Sequence, residues 1–149
     1  MHYGNYDLAV SIAYDYFEFF SIGNKGEVLK GILFHQIAEN SLYYNCVMGD
    51  IGDDGQINVD EITDNGDMEK ILATVVAATI AFSASYPDCF IIVSGSNTAR
   101  TRLYRMAINL NYSELTELFD IWGMSDSGIH ERFEKGTVNA YNGFLVKRK

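Results

Sequence analysis

Along the first sixty residues, hydrophobic and polar positions fall in the short dense runs of β-strands rather than the stripes of helices. Residues 14–22 are crowded with aromatics, which favour a pleated surface, whereas residues 6–16 taken alone are ambiguous. Gly23-Asn24-Lys25-Gly26 then supplies residues that tolerate positive φ, as a tight hairpin requires. Residues 27–37 return as a second strand, with Val28, Ile32 and Phe34 on one parity and Leu29 and Leu33 on the other. Apolar residues on both parities predict a central strand with both faces partly covered. Residues 42–48 predict a third strand. Residues 56–62 predict a fourth, partly exposed one, because Ile57 and Val59 alternate with polar partners until Asp60-Glu61 ends the pattern.

The period then changes. Met68, Ile71, Leu72, Val75, Thr79 and Phe82 fall on one helical stripe. Asp67 is the expected N-cap, and Glu69 in the first turn suits the positive end of the helix dipole. Alanines at 73, 77, 78 and 81 leave a second side free for close approach. Tyr86-Pro87-Asp88 ends this helix, since the residue before proline is pushed out of the α region. Residues 89–93 form a continuous apolar run expected near the middle of the sheet. A second helix is predicted from Asn97 or Thr98 to about Asn109 and a short third from Ser113; residues 119–123 and 142–146 add two strands. With no linker or repeat, residues 1–149 read as one α+β domain. Its order, β-β-β-β-α-β-α-(α)-β-β, implies a mostly antiparallel sheet packed against two main helices in two layers.

Composition narrows the class. Hydrophobic residues at 48% and charged residues at 21% exclude a disordered chain. The net charge of −9 disfavours nonspecific coating of DNA. The charge is uneven, however: residues 1–99 carry fourteen acids against three lysines, while residues 100–149 carry eight cations against six acids. A local basic patch in the second part is therefore compatible with an acidic whole. Cys46 and Cys89 each lie in an apolar run and are expected to be buried thiols. The N-terminus lacks a basic region and a cleavage site, and the longest apolar run, residues 71–82, is shorter than a bilayer span. A soluble, cytoplasmic protein without membrane contact is expected.

Residues 50–61 imitate a calcium loop, with acids at positions 1, 5 and 12 and Gly55 at position 6. Position 3 is Gly52, which offers no oxygen, and the preceding residues read as a strand, so a hairpin turn is the expected structure. Asp60, Glu61, Asp64 and Asp67 flank a helix start, where acids serve as caps. His2, His35 and His130 are isolated and form no metal motif with the cysteines; no cofactor is called for.

The stretch with chemical promise is residues 91–105, a buried strand running through Ser94-Gly95-Ser96 into a helix with Arg100, Arg102 and Arg105. A helix start exposes N–H groups and a positive dipole end, which suit an anion. Ser96, Asn97, Thr98, Arg100 and Arg102 are the expected donors, with Tyr104 and Arg105 beside them. The spacing is that of neither a P-loop nor a dinucleotide fingerprint. The competing reading pairs the arginines internally with Asp60, Glu61, Asp64 or Asp67. Lys147-Arg148-Lys149 is expected to be a solvated tail, or to extend the basic patch if the last strand lies beside the second helix.

Asp64-Asn65-Gly66-Asp67, Tyr86-Pro87-Asp88, and Gly95-Ser96 followed by Arg100-Thr101-Arg102-Leu103-Tyr104-Arg105 together resemble a family of small uncharacterised bacterial domains. That resemblance covers most of the chain and implies no activity. Three functional classes follow. The first is a module binding an anionic group on a nucleotide, a nucleic acid or an acidic partner. The second is a phosphodiester-acting enzyme such as a ribonuclease-like toxin, with Arg100 and Arg105 stabilising charge and Tyr104 as acid or base. The third is an interaction module or homodimer with no small ligand.

Overall fold

The computed structural model describes residues 4–59, 63–95, 97–128, 130–137 and 140–149. The elements run β1 (Ala9–Val10), β2 (Tyr16–Gly23), β3 (Gly26–Gln36), β4 (Tyr43–Ile51), β5 (Ile57–Asn58), α1 (Met68–Ser85) and β6 (Phe90–Val93). They continue with α2 (Thr98–Leu110), α3 (Tyr112–Leu118), β7 (Phe119–Met124), β8 (His130–Arg132) and β9 (Gly143–Arg148). The strands form one open sheet in the order β1-β2-β3-β4-β6-β9-β7-β8, with β5 beside β4. Among the described residues only β4 and β6 pair in parallel; the other pairings are antiparallel. This is the expected α+β arrangement of helices on a mostly antiparallel sheet, with β6 central.

Elements that were not foreseen are the shortest. β1 and β8 have two and three residues, all exposed, too few for a period to declare itself. β2 begins at Tyr16 because the Ser11 hydroxyl accepts the Asp15 and Tyr16 N–H groups, at 3.3 and 3.1 Å, and holds the residues before it in a turn. The fourth strand shrinks to Ile57–Asn58, and the remainder of its predicted range, 60–62, lies outside the described residues.

Register puts one parity of every long strand against the helices. Phe17 faces Ile32, Ile32 faces Met48, and Cys46 faces Val93. Val93 in turn faces Phe144, while Ile91 and Ile121 flank Val146. The helical stripe of α1 closes this layer, with Phe82 stacked on Phe34 at 4.4 Å between ring centres. By length and mean hydropathy, 1.4, α1 could cross a bilayer, but here it is a core helix packed on the sheet.

A polar frame sets where α1 begins. Lys30 points from β3 into the core with no solvent exposure; its ammonium donates to Asp50 Oδ1 at 2.6 Å and to the Thr63 carbonyl at 3.1 Å. The second Asp50 oxygen accepts the Thr63 N–H and hydroxyl at 2.9 and 2.6 Å. Two residues on, the buried Asn65 accepts the Lys25 N–H at 2.6 Å and donates to the Gly26 carbonyl and to Ser21. A Cβ on Gly23 would lie 1.9 Å from the Asn65 carbonyl oxygen, so the hairpin can dock on this segment only with glycine there. Asp67 sits at the helix start as expected, but its side chain does not cap α1. It accepts from Tyr6 and Ser21 hydroxyls instead, at 2.5 and 2.6 Å, tying the N-terminal segment and β2 to the helix.

The other end of α1 corrects the solvated-tail expectation. β9 runs between β6 and β7 and continues through Lys147 and Arg148. Arg148 donates to the Ile80 carbonyl at 3.2 Å and the Ser83 hydroxyl at 3.1 Å and lies over Phe119. Its cation thus serves the negative end of α1 rather than the α2 patch.

Asp50→Asn would leave a buried ammonium without its counter-charge and is expected to cost about 3–5 kcal/mol in urea denaturation. Burial alone would raise the Asp50 carboxyl, but the hydrogen bonds from Lys30 and Thr63 outweigh it and hold it below its ordinary value. Such a group contributes fully above its unfolded pKa of about 3.9 and loses the contribution as pH falls through the folded value. Stability measured from about pH 5 down to about pH 2 should therefore fall more steeply in the wild type than in Asp50→Asn.

Candidate functional site

β6 delivers the chain to α2 through Ser94-Gly95, and the local sequence explains the corner. Asn97 has extended φ and ψ of −152° and 173°, and its side-chain oxygen accepts the Arg100 N–H at 2.9 Å, a regular N-cap. Thr101 accepts the Gly95 N–H at 3.2 Å and donates to the Asn97 carbonyl at 3.2 Å. A Cβ on Gly95 would come within 2.4 Å of the Arg100 Cβ. The glycine therefore lets the strand end press against the first turn of α2, where the sequence suggested close approach to a ligand. Asn97 and Thr98 are exposed beside this turn, and Ser96 lies outside the described residues.

Helical geometry divides the arginines. At about 100° per residue, Tyr104 lies about 40° round the helix from Arg100, whereas Arg102 and Arg105 lie about 160° and 140° away. Arg100 reaches across to donate to the Val59 carbonyl beyond β5. Arg105 donates to the Thr137 carbonyl at 3.1 Å and lies over the Tyr141 ring, holding α2 to the loop before β9. Arg102 is exposed and borders a separate shallow depression with Arg105, Met106, Asn109, Leu110 and Lys135. The arrangement of Arg100, Arg105 and Tyr104 around one reacting group, required for phosphodiester chemistry, is not formed.

The internal ion pairs with Asp64 and Asp67 are not formed either. Asp67 is engaged with Tyr6 and Ser21, and the Asp64 carboxylate accepts the Gly66 N–H at 3.1 Å. Asp60 and Glu61 lie outside the described residues. Residues 50–56 form the expected turn rather than a calcium loop: Asp50 is turned inward to Lys30, and Gly55 has a φ of 78°. Among the described residues no group of three or more metal-ligating side chains converges; His35 and His130 are exposed strand residues, and His2 lies outside the described set.

What the fold does bring together is a two-lobed cleft where the C-terminal end of β6 lies beside the middle of β4, its parallel neighbour. One lobe, about 250 Å³, is lined by Asn45, Cys46, Val47, Met48, Val59, Ser94, Gly95, Arg100 and Tyr104. The other, about 170 Å³, lies between α1 and α2 and is lined by Met48, Met68, Leu72 and Leu103, with Asp64, Arg100 and Tyr104. Met48, Arg100 and Tyr104 belong to both.

Tyr104 is the chemically exposed point of this wall. It is only 7% solvent-exposed, and its hydroxyl has no hydrogen-bond partner among the described residues. Burial pushes that hydroxyl well above an ordinary phenol, the neighbouring Cys46 adds to the rise, and Arg100 offsets a little of it. At neutral pH Tyr104 is thus a hydrogen-bond donor and not a base. A family model matches residues 2–149.

The chain belongs to DUF6934, a family of unknown function.

No curated protein and no solved structure matches it. The function of this DUF6934 member is therefore read from its geometry. Seven residues were singled out around the arginine stretch; Arg100 and Tyr104 line the cleft, and Arg102 and Arg105 turn away from it. Asp64, considered as a counter-charge to the arginines, also lines the cleft, and the residues that complete it, Asn45, Cys46 and Met48 from β4 and Met68 and Leu72 from α1, carry no local signal of a site. The α1 residues look like ordinary core positions of a helical stripe, and only the crossover from β4 to β6 sets them opposite α2.

Cys46 lies at this wall in the DUF6934 member, and burial pushes its thiol up to about 12. Both cysteines are buried and unpaired. A thiol reagent at about pH 8 should leave Cys46 unmodified in the folded protein and react with it once urea unfolds the chain, because the thiolate is the nucleophile. Prompt labelling of native Cys46, located by mass spectrometry, would contradict this placement.

Proposed function

We propose that this chain is a binding module for an anionic group, held in the cleft between the middle of β4, the end of β6 and the first turns of α2. The observation that carries the reading is the Tyr104 hydroxyl, which has no hydrogen-bond partner among the described residues and stands on the same cleft wall as Arg100. A phenol hydroxyl on a cleft wall can donate to an anionic acceptor, and a hydrogen bond to a charged group contributes about 1.5–3 kcal/mol. The guanidinium supplies the matching charge. The N-terminal end of α2 adds a favourable field, although Asn97 already takes the Arg100 N–H. The two buried, unpaired cysteines fit a reducing compartment, and with the Gly95-Ser96 and R-T-R-L-Y-R resemblance they support a small bacterial protein of the cytoplasm.

Thermal unfolding with a panel of phosphate, sulfate and small carboxylates tests the reading. A ligand at a hundred times its Kd adds about 2.7 kcal/mol, roughly 5–10 °C in Tm for a chain of this size. That saturable shift should disappear in Arg100→Ala. Tyr104→Phe keeps the ring and removes the hydroxyl, so its ligand-free Tm should stay close to that of the wild type while its ligand-induced shift shrinks. A flat response across the panel overturns the proposal. So does a Tyr104→Phe variant that is destabilised without ligand and shifted normally by it.

A further inference from the structure

We infer that the face of the sheet turned away from the helices is a homodimer interface, and that its occupant is a second copy of this chain. All three helices bury their side chains against one parity of the strands. The other parity is apolar across the sheet. In register, Leu33 pairs with Val47, and one row further along the strands Ile92, Leu145 and Trp122 lie side by side. Phe20 and Leu29 extend the row towards the first hairpin, and Ile37 meets Tyr43 and Phe90 at the opposite end. On this face Phe20, Ile22, Ile37 and Tyr43 are 54%, 58%, 48% and 41% exposed. Contiguous exposed apolar surface of this extent marks an interaction site.

Area, charge and shape each select a second copy. From β2 to β7 the face spans six strands averaging about seven residues, which at about 4.8 Å between strands and about 3.3 Å per residue is about 700 Å². A standard interface takes about 800 Å² from each partner, so this one face is close to what a stable dimer needs. The chain as a whole carries −9, and most of its surface repels a copy. On this face, however, Glu18 and Asp120 are matched by Lys147 and Arg132, and Asp120 already pairs with Arg132 at 3.0 Å. Glu27 stands apart at the hairpin tip, opposite Ile22. A nearly neutral apolar face does not call for nucleic acid or another charged partner. Two sheets of identical twist also pack face to face, about 10 Å apart with strands about 30° from parallel, so that their side chains interdigitate. The inference goes beyond the anion reading and does not depend on it, because α2 lies on the other side of the sheet.

Sedimentation equilibrium of the full chain, from low micromolar to several hundred micromolar, decides it. The mass should rise from that of one chain to that of two. Trp122, the sole tryptophan, stands on this face, and its emission should shift to the blue in step with the mass. Phe20→Lys and Ile92→Lys place a charge in the interface and should each weaken the dimer at least about tenfold. Met106→Lys puts the same charge on α2, at an apolar residue 39% exposed in the opposite layer, and should leave the dimer unchanged. Far-ultraviolet circular dichroism of each variant separates weakened association from misfolding, and the Trp122 signal needs no variant at all. A chain that stays monomeric throughout overturns the proposal. So does a dimer whose formation leaves Trp122 emission unmoved, or one that Met106→Lys breaks and both sheet-face variants spare.

Discussion

An ammonium with no route to water organises this protein. Lys30 sits on the core-facing parity of β3, where its neighbours in register are Phe19 and Asp50, and it is fully buried. A buried charge is tolerated only when paired and hydrogen-bonded. The fold satisfies it by closing Asp50 from β4 and the Thr63 carbonyl around it, and Thr63 in turn donates twice to Asp50. The segment leading into α1 is thereby locked against the sheet. Asn65 and Asp67 extend the same lock to the first hairpin and to Tyr6. Apolar contacts along α1 would tolerate sliding by a turn at modest cost; directional bonds to one ammonium and one amide would not.

The cleft is a consequence of that placement. With its start fixed at Met68, α1 crosses the sheet and returns the chain as β6, parallel to β4. β6 ends at Val93 beside Cys46, midway along β4, and α2 leaves from there with Arg100 and Tyr104 lining the cleft. Met68 and Leu72 form the opposite wall because Asp67 is tied to Tyr6 and Ser21 one residue earlier. Stability and site are thus built from the same few polar contacts. On this wall the Tyr104 hydroxyl has no hydrogen-bond partner among the described residues.

Much of the architecture was legible in residue patterns. The aromatic runs, the Gly23–Gly26 turn, the helical stripe from Met68 to Phe82 and the apolar run ending at Val93 each declare their element within a few residues of its true bounds. The parts that escaped are those whose signal is too short or too distant. β1 and β8 hold too few residues to show a period. Arg148, written as part of a cationic tail, is a strand residue whose guanidinium meets the Ile80 carbonyl, a partner sixty-eight positions away. Asp67 has the identity of a helix cap and is used as an anchor.

The site divides along the same line. Local sequence determined the strand–turn–helix corner, its Asn97 cap and the presence of three arginines, because each of these depends on residues within a turn of one another. The 100° step of a helix already sends Arg102 and Arg105 away from Arg100, but which of the two directions faces a cleft is not a local property. Tertiary structure decided that by starting α2 at the end of β6, beside the middle of β4. It also decided which residues complete the cleft, since Met48, Asp64, Met68 and Leu72 reach Arg100 and Tyr104 only through long-range register, set by a buried lysine that must be neutralised where it lies.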